Sequence, residues 1–170
     1  MTDATQPLGD DQKTSAGGLI DRLNGLFGLI PSAIPLLVTR LALGLPFYFS
    51  GLTKWTGFLS INPTAVFLFQ EEYKLRWINR EDPPSLPMPE VMAYLAAYAE
   101  IILPIMLILG FGTRFAALGL LGMTIVIQFV YPDAWRGAHL PWAAMALMLM
   151  VYGGGKLSID NLISSVRRRG

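Results

Sequence analysis

A chain of 170 residues that is 53% hydrophobic and only 15% charged, with a mean hydropathy of +0.47, is too apolar for a water-soluble domain. Its formal net charge of +1 gives no electrostatic footprint for a nucleic-acid partner, and the absence of cysteine excludes disulfides, thiolate metal sites and dithiol exchange. A single histidine, His139, cannot form a bis-histidine haem site, and no zinc spacing, phosphate loop or nucleophile–base arrangement is present.

Residues 1–18 are polar, with Asp3, Asp10 and Asp11 set against Lys13. This is the reverse of a basic leader, so the stretch reads as a disordered tail and not as a cleavable signal. In residues 19–32, Leu19, Leu23, Leu26, Phe27 and Ile30 recur at helical spacing and predict a short amphipathic helix in the membrane interface. Residues 33–163 hold four apolar stretches, at about 33–52, 88–109, 115–131 and 138–155. At 1.5 Å of rise per residue, about 20 apolar residues cross a bilayer core. The fourth stretch reaches a workable length only if Trp135–His139 and Gly153–Gly155 extend Leu140–Tyr152.

Between the first two stretches, Asn62-Pro63 looks like an N-cap with proline in the first helical position. Val66, Phe67, Phe69, Leu75, Trp77 and Ile78 follow it and predict a helix in the outer loop, lying on the membrane or capping the bundle. Residues 164–170 form a basic tail ending in Arg167-Arg168-Arg169. The predicted fold class is therefore all-α. It is an integral membrane four-helix bundle with a short N-terminal interfacial helix and an outer-loop helix.

Lysines and arginines set the expected orientation. Lys13, Arg22, Arg114, Lys156 and Arg167–Arg169 fall on one side, and Lys54, Lys74, Arg76, Arg80 and Arg136 on the other. The unopposed arginine run favours both termini in the cytoplasm, in a multi-pass protein of the cell (inner) membrane. Trp55, Trp77, Trp135 and Trp142 then all fall on the outer side, as an aromatic belt.

Arg40 and Glu100 stand well inside the apolar stretches, away from their ends. Arg40 shares a stripe with Gly44, Phe47 and Gly51, and Glu100 shares one with Ala93, Ala96, Ala97 and Pro104. Charges in hydrocarbon turn inward and pair, and small residues let helices approach. An intramembrane Arg40–Glu100 pair is the expectation, either fixing the helix arrangement or forming a proton-accepting or ligand-orienting centre. Snorkelling of Arg40 to the membrane surface is the third reading. A second cluster gathers Tyr48, Lys54, Gln128, His139 and Trp142 near the outer face, where amine, amide and imidazole donors beside aromatic walls could hold a quinone headgroup. Met145, Met148 and Met150 read as packing rather than a Cu(I) site.

Several motifs, taken in order, resemble the DoxX family. They are Arg40-Leu-Ala-Leu-Gly44 with Ser50-Gly-Leu-Thr-Lys54, then Phe69-Gln-Glu-Glu-Tyr73 and Tyr98-Ala-Glu-Ile-Ile-Leu-Pro104. Gly110-Phe-Gly-Thr-Arg114, Tyr131-Pro-Asp-Ala-Trp135 and Gly155-Lys-Leu-Ser-Ile-Asp160 complete the set. The resemblance spans about Leu37 to Leu162 and implies a four-helix membrane bundle, with Arg40, Lys54 and Glu100 at positions where the family carries those residue types. The chain departs from the pattern in its longer polar N-terminal tail and in Arg76–Pro84. For function the resemblance implies an accessory subunit of a redox or oxidative or metal-stress system, with quinone as the candidate cofactor and redox or stress-response proteins as candidate partners besides the lipid bilayer. Without a cysteine pair or haem ligands, an autonomous enzyme is not expected. A small-molecule or ion carrier built on Arg40 and Glu100, an assembly scaffold without chemistry, and an oligomer are the alternative expectations.

Overall fold

A computed structural model describes residues 10–76 and 81–169, with side chains in the first helix from Gly18 onward. The chain divides into two compact units, Met1–Ser32 and Ala33–Gly170. In the first, helix α1 spans Asp10–Gly28, so it takes in Asp10–Gly18, a stretch the sequence reading assigned to a disordered tail. Leu19, Leu23, Leu26 and Phe27 are exposed along it.

The second unit is an all-α membrane protein. Helices α2 (Ala33–Leu52), α4 (Pro89–Leu109) and α5 (Thr113–Val130) are each long and apolar enough to cross a bilayer. Helix α6 (Leu140–Tyr152) has only 13 residues, but a five-residue π-helical turn, Trp135–His139, runs directly into it and lengthens it at one end. At the other end Gly153 takes φ +71° and stops the helix, so Gly153–Gly155 do not extend it. The four helices close into a ring, α2 on α4, α4 on α5, α5 on α6 and α6 on α2. Leu43, Leu107, Leu120 and Leu149 are fully buried at its centre, with Ala116, Ala117 and Ala146. Val38, Phe49, Ile102, Ile125 and Val151 face outward, toward lipid.

Small residues set the register of α2 on α4. A Cβ at Gly51 would stand 2.7 Å from the Glu100 carbonyl oxygen, and one at Gly44 would meet Pro104 and Ile108. Only glycine allows the two backbones to come this close. The pairing puts Gly51 level with Glu100, so the first turns of α4 run on past the end of α2. Helix α3 (Pro63–Glu71) packs on α4 and buries Phe69 there with Leu86, Ala93 and Val130. It starts as its sequence dictates: the Asn62 side chain accepts from the Thr64 amide at 3.0 Å, and Pro63 occupies the first turn. Trp77 and Ile78 lie outside the described residues, and α3 ends before Leu75. A two-stranded hairpin, β1 (Trp55–Gly57) and β2 (Ser60–Ile61), joins α2 to α3. Helix α7 (Ile159–Arg167) follows α6, with the Ser158 hydroxyl accepting from the Asn161 amide as its N-cap.

Candidate functional site

The stagger of α2 against α4 leaves a cavity of about 340 Å³ between α2, α4, α5 and α6, with Phe69 and Tyr73 closing it from the α3 side. Its walls are mostly apolar, with Phe47, Ala96, Met123, Ile127 and Trp142 among them. Phe47 and Trp142 meet at a ring-centroid distance of 4.9 Å. The polar groups lining it are Lys54, Glu100, Ser50, Tyr73 and Tyr131. Mostly apolar walls with a few convergent polar groups are the usual make-up of a small-molecule site.

Lys54 and Glu100 form a buried ion pair, Nζ to Oε2 at 2.5 Å, and Lys54 also donates to the Ser50 hydroxyl at 3.3 Å. The chain produces this by turning back at the end of α2, where the Lys54 amide donates to the Gly51 carbonyl. That turn drops the lysine stem onto the level of Glu100 instead of releasing it to the membrane surface. Tyr73 lies on the same cavity with its ring edge-on to both Phe69 and Tyr131. Burial first, then the charge of the neighbouring Tyr131 and a side-chain hydrogen bond with it, and last the charge of Glu100, push its phenol up to about 12. Tyr73 therefore remains a hydroxyl donor across the neutral range. The Arg76 guanidinium lies 6.0 Å from the centre of the Tyr131 ring on the loop side.

Arg40 does not pair with Glu100, which corrects the sequence expectation. It is fully buried, which also rules out snorkelling, and its guanidinium donates to the Ile108 carbonyl at 3.2 Å and to the Leu157 carbonyl. The register explains the separation. Arg40 lies level with Gly110, where a Cβ would collide with its guanidinium, and Glu100 to Gly110 is about 15 Å along a helix axis. Asp160 completes this second polar centre, accepting from the amides of Gly112 at 2.7 Å and Thr113 at 2.9 Å at the start of α5.

Burial alone would raise the Asp160 carboxyl, but its hydrogen bonds from Thr113 and Gly112 and the charge of Arg40 outweigh it, and the net shift is downward. Because the folded-state value is depressed, the stabilisation is complete above the unfolded carboxylate range. It is lost as pH falls below about 4 toward the folded value. We expect Asp160→Asn to flatten the acid limb of a plot of unfolding midpoint against pH, with wild type and variant converging at the lowest pH. Parallel acid limbs would count against the assignment.

The outer cluster expected from sequence divides. Lys54 and Trp142 line the cavity, whereas Tyr48 packs beside Phe49, at a ring distance of 5.9 Å, and does not line it. His139 is buried, its Nδ1 2.5 Å from the Gln128 Oε1, and its ring packs on Trp142 at 5.6 Å. Gln128 also donates to the Pro132 carbonyl, which turns its oxygen to the imidazole and makes Nδ1 the donor. This pair buttresses Trp142 instead of lining the cavity. Trp142 is thus half-buried in the bundle, between Phe47 and His139. Ser50, Tyr73, Tyr131 and Asp160 had been assigned no role from sequence, yet each stands inside a motif quoted above.

The profile of the DoxX family matches residues 35–132, more than half the chain, and includes most of the cavity lining. The chain belongs to the DoxX family. An uncharacterized protein of Haemophilus influenzae is 32% identical over 148 residues, covering 81% of this chain and 88% of that one. No solved structure matches this DoxX protein.

Proposed function

We propose that this DoxX protein holds a lipid-soluble molecule with an oxygen-bearing ring, a quinone or a close relative, in the cavity beside Lys54 and Glu100. The observation that carries this reading is one buried lysine–carboxylate pair opening onto an apolar, aromatic-walled space between membrane helices. An ammonium has three donors. Glu100 and Ser50 take two, which leaves one for a ring carbonyl, and the hydrogen-bonded Tyr73–Tyr131 pair, which uses one of its two hydroxyl protons internally, offers a further donor. Phe47 and Trp142 suit the flat faces of such a ring. On this reading the protein presents quinone to a redox or stress-response partner as an accessory subunit. It sits in the inner membrane with both termini cytoplasmic, the orientation that its arginine run favours. The carrier alternative loses its support, because the Arg40–Glu100 centre on which it rested is not formed. A scaffold without a ligand is what failure of the following test would leave.

Titration of the full-length protein in nanodiscs with a short-chain ubiquinone, read by tryptophan fluorescence, should quench in a saturable way. Tyr73→Phe/Tyr131→Phe, which removes both hydroxyls of the pair together, should weaken binding about 3- to 10-fold, the worth of one hydrogen bond, while leaving the unfolding midpoint nearly unchanged. Linear quenching, equal in wild type and the Tyr73→Phe/Tyr131→Phe double variant, is the signature of simple partitioning into lipid and would end the proposal.

A further inference from the structure

We infer that α7 and the arginines that follow it dock on anionic phospholipid headgroups at their end of the bundle. Ile159, Leu162, Ile163 and Val166 recur at i, i+3, i+4 and i+7 and so share one face of the helix. No core covers that face: Leu162 is 62% exposed, Ile163 51% and Val166 65%. The helix is nonetheless not loose. Its start is fastened to the turn between α4 and α5 by Asp160, whose amide donates to the Gly110 carbonyl at 2.9 Å and whose carboxylate holds the Gly112 and Thr113 amides. That turn is where two membrane-spanning helices end, so an apolar helix face is held at the level of the membrane surface.

Charge identifies the occupant. Lys156, Arg167, Arg168 and Arg169 are exposed around this helix. The acidic residue of the helix, Asp160, is already engaged by the two amides and lies near Arg40. An apolar face combined with an uncompensated cluster of cations matches an anionic leaflet, which attracts basic side chains and admits the apolar ones below its headgroups. A protein partner would have to offer a similarly acidic and apolar surface, and the test makes that an outcome.

The chain has no cysteine, so Ile163→Cys and, on the polar side, Ser164→Cys each give a single labelling site in the full-length protein. A spin label at each is read in nanodiscs of phosphatidylcholine alone or mixed with phosphatidylglycerol, against a lipid-soluble and a water-soluble relaxation agent. The label at residue 163 should move into the lipid-accessible environment in the anionic discs, while that at 164 stays in water. Changing Arg167, Arg168 and Arg169 together to Gln should lower the docked-to-free ratio by roughly two orders of magnitude, and high salt should act in the same direction. Equal accessibility of residue 163 in both lipids, whether wet or buried, overturns the inference. So does protection that appears only when two copies share a disc, since a second chain would then be the occupant.

Discussion

Glu100→Gln should cost about 3–5 kcal/mol of stability, the usual penalty for stranding one member of a buried ion pair. Lys54 would keep its charge in the bundle with only the Ser50 hydroxyl and a neutral amide to meet it. Lys54→Met should be as damaging from the other side, leaving the carboxylate bare. The double variant Lys54→Met/Glu100→Leu removes both charges and should recover most of the midpoint lost by either single change, because the desolvation penalty goes with the attraction. Thermal unfolding in detergent micelles gives the midpoints, and quinone titration of the double variant separates stability from binding. A recovered fold with lost binding is the expected result. A double variant no more stable than the singles would show that the two charges do not act as a pair.

The second large effect is expected at Arg40. Arg40→Leu strips the buried carbonyls of Ile108 and Leu157 of their donor and takes the positive charge away from Asp160, so a loss of about 3 kcal/mol is expected. Lysine should rescue it poorly, since one ammonium cannot reproduce the fork that reaches two carbonyls on different segments. Ligand affinity in the surviving folded fraction should be unchanged, because Arg40 lies about 15 Å from Glu100 along the bundle. The two buried cations therefore differ in kind. Removal of Lys54 should change binding, and removal of Arg40 should change only the midpoint. Weakened binding in a folded Arg40→Leu protein would contradict this division.

The contrast between these residues also marks where sequence reasoning reached its limit. Helix stripes were readable because each uses spacing within one helix: Arg40, Gly44, Phe47 and Gly51 are all buried, as are Ala93, Ala97, Glu100 and Pro104, with Ala96 half-buried beside them. Pairing across helices was not readable, because it depends on how far one helix slides along another. The expected pair required Arg40 and Glu100 to stand at similar depths, and the glycine contacts place them about 15 Å apart along the helix axis. Lys54 had been assigned to the outer surface because it follows the last apolar residue of the span, and only the turn back over Gly51 carries it inward.

Apolar runs, caps and motif order are local properties, and the sequence alone therefore determined a membrane-spanning helical protein of the DoxX family, the Asn62 cap of α3 and the inward faces of α2 and α4. Tertiary structure alone decided that Glu100 answers Lys54, that Arg40 answers two carbonyls near Asp160, and that His139 and Gln128 satisfy each other behind Trp142. The reason is that lipid gives apolar side chains no preference for one neighbour over another. Register is left to glycine-sized contacts and to buried polar groups that must each find a partner, and those are properties of the assembled bundle.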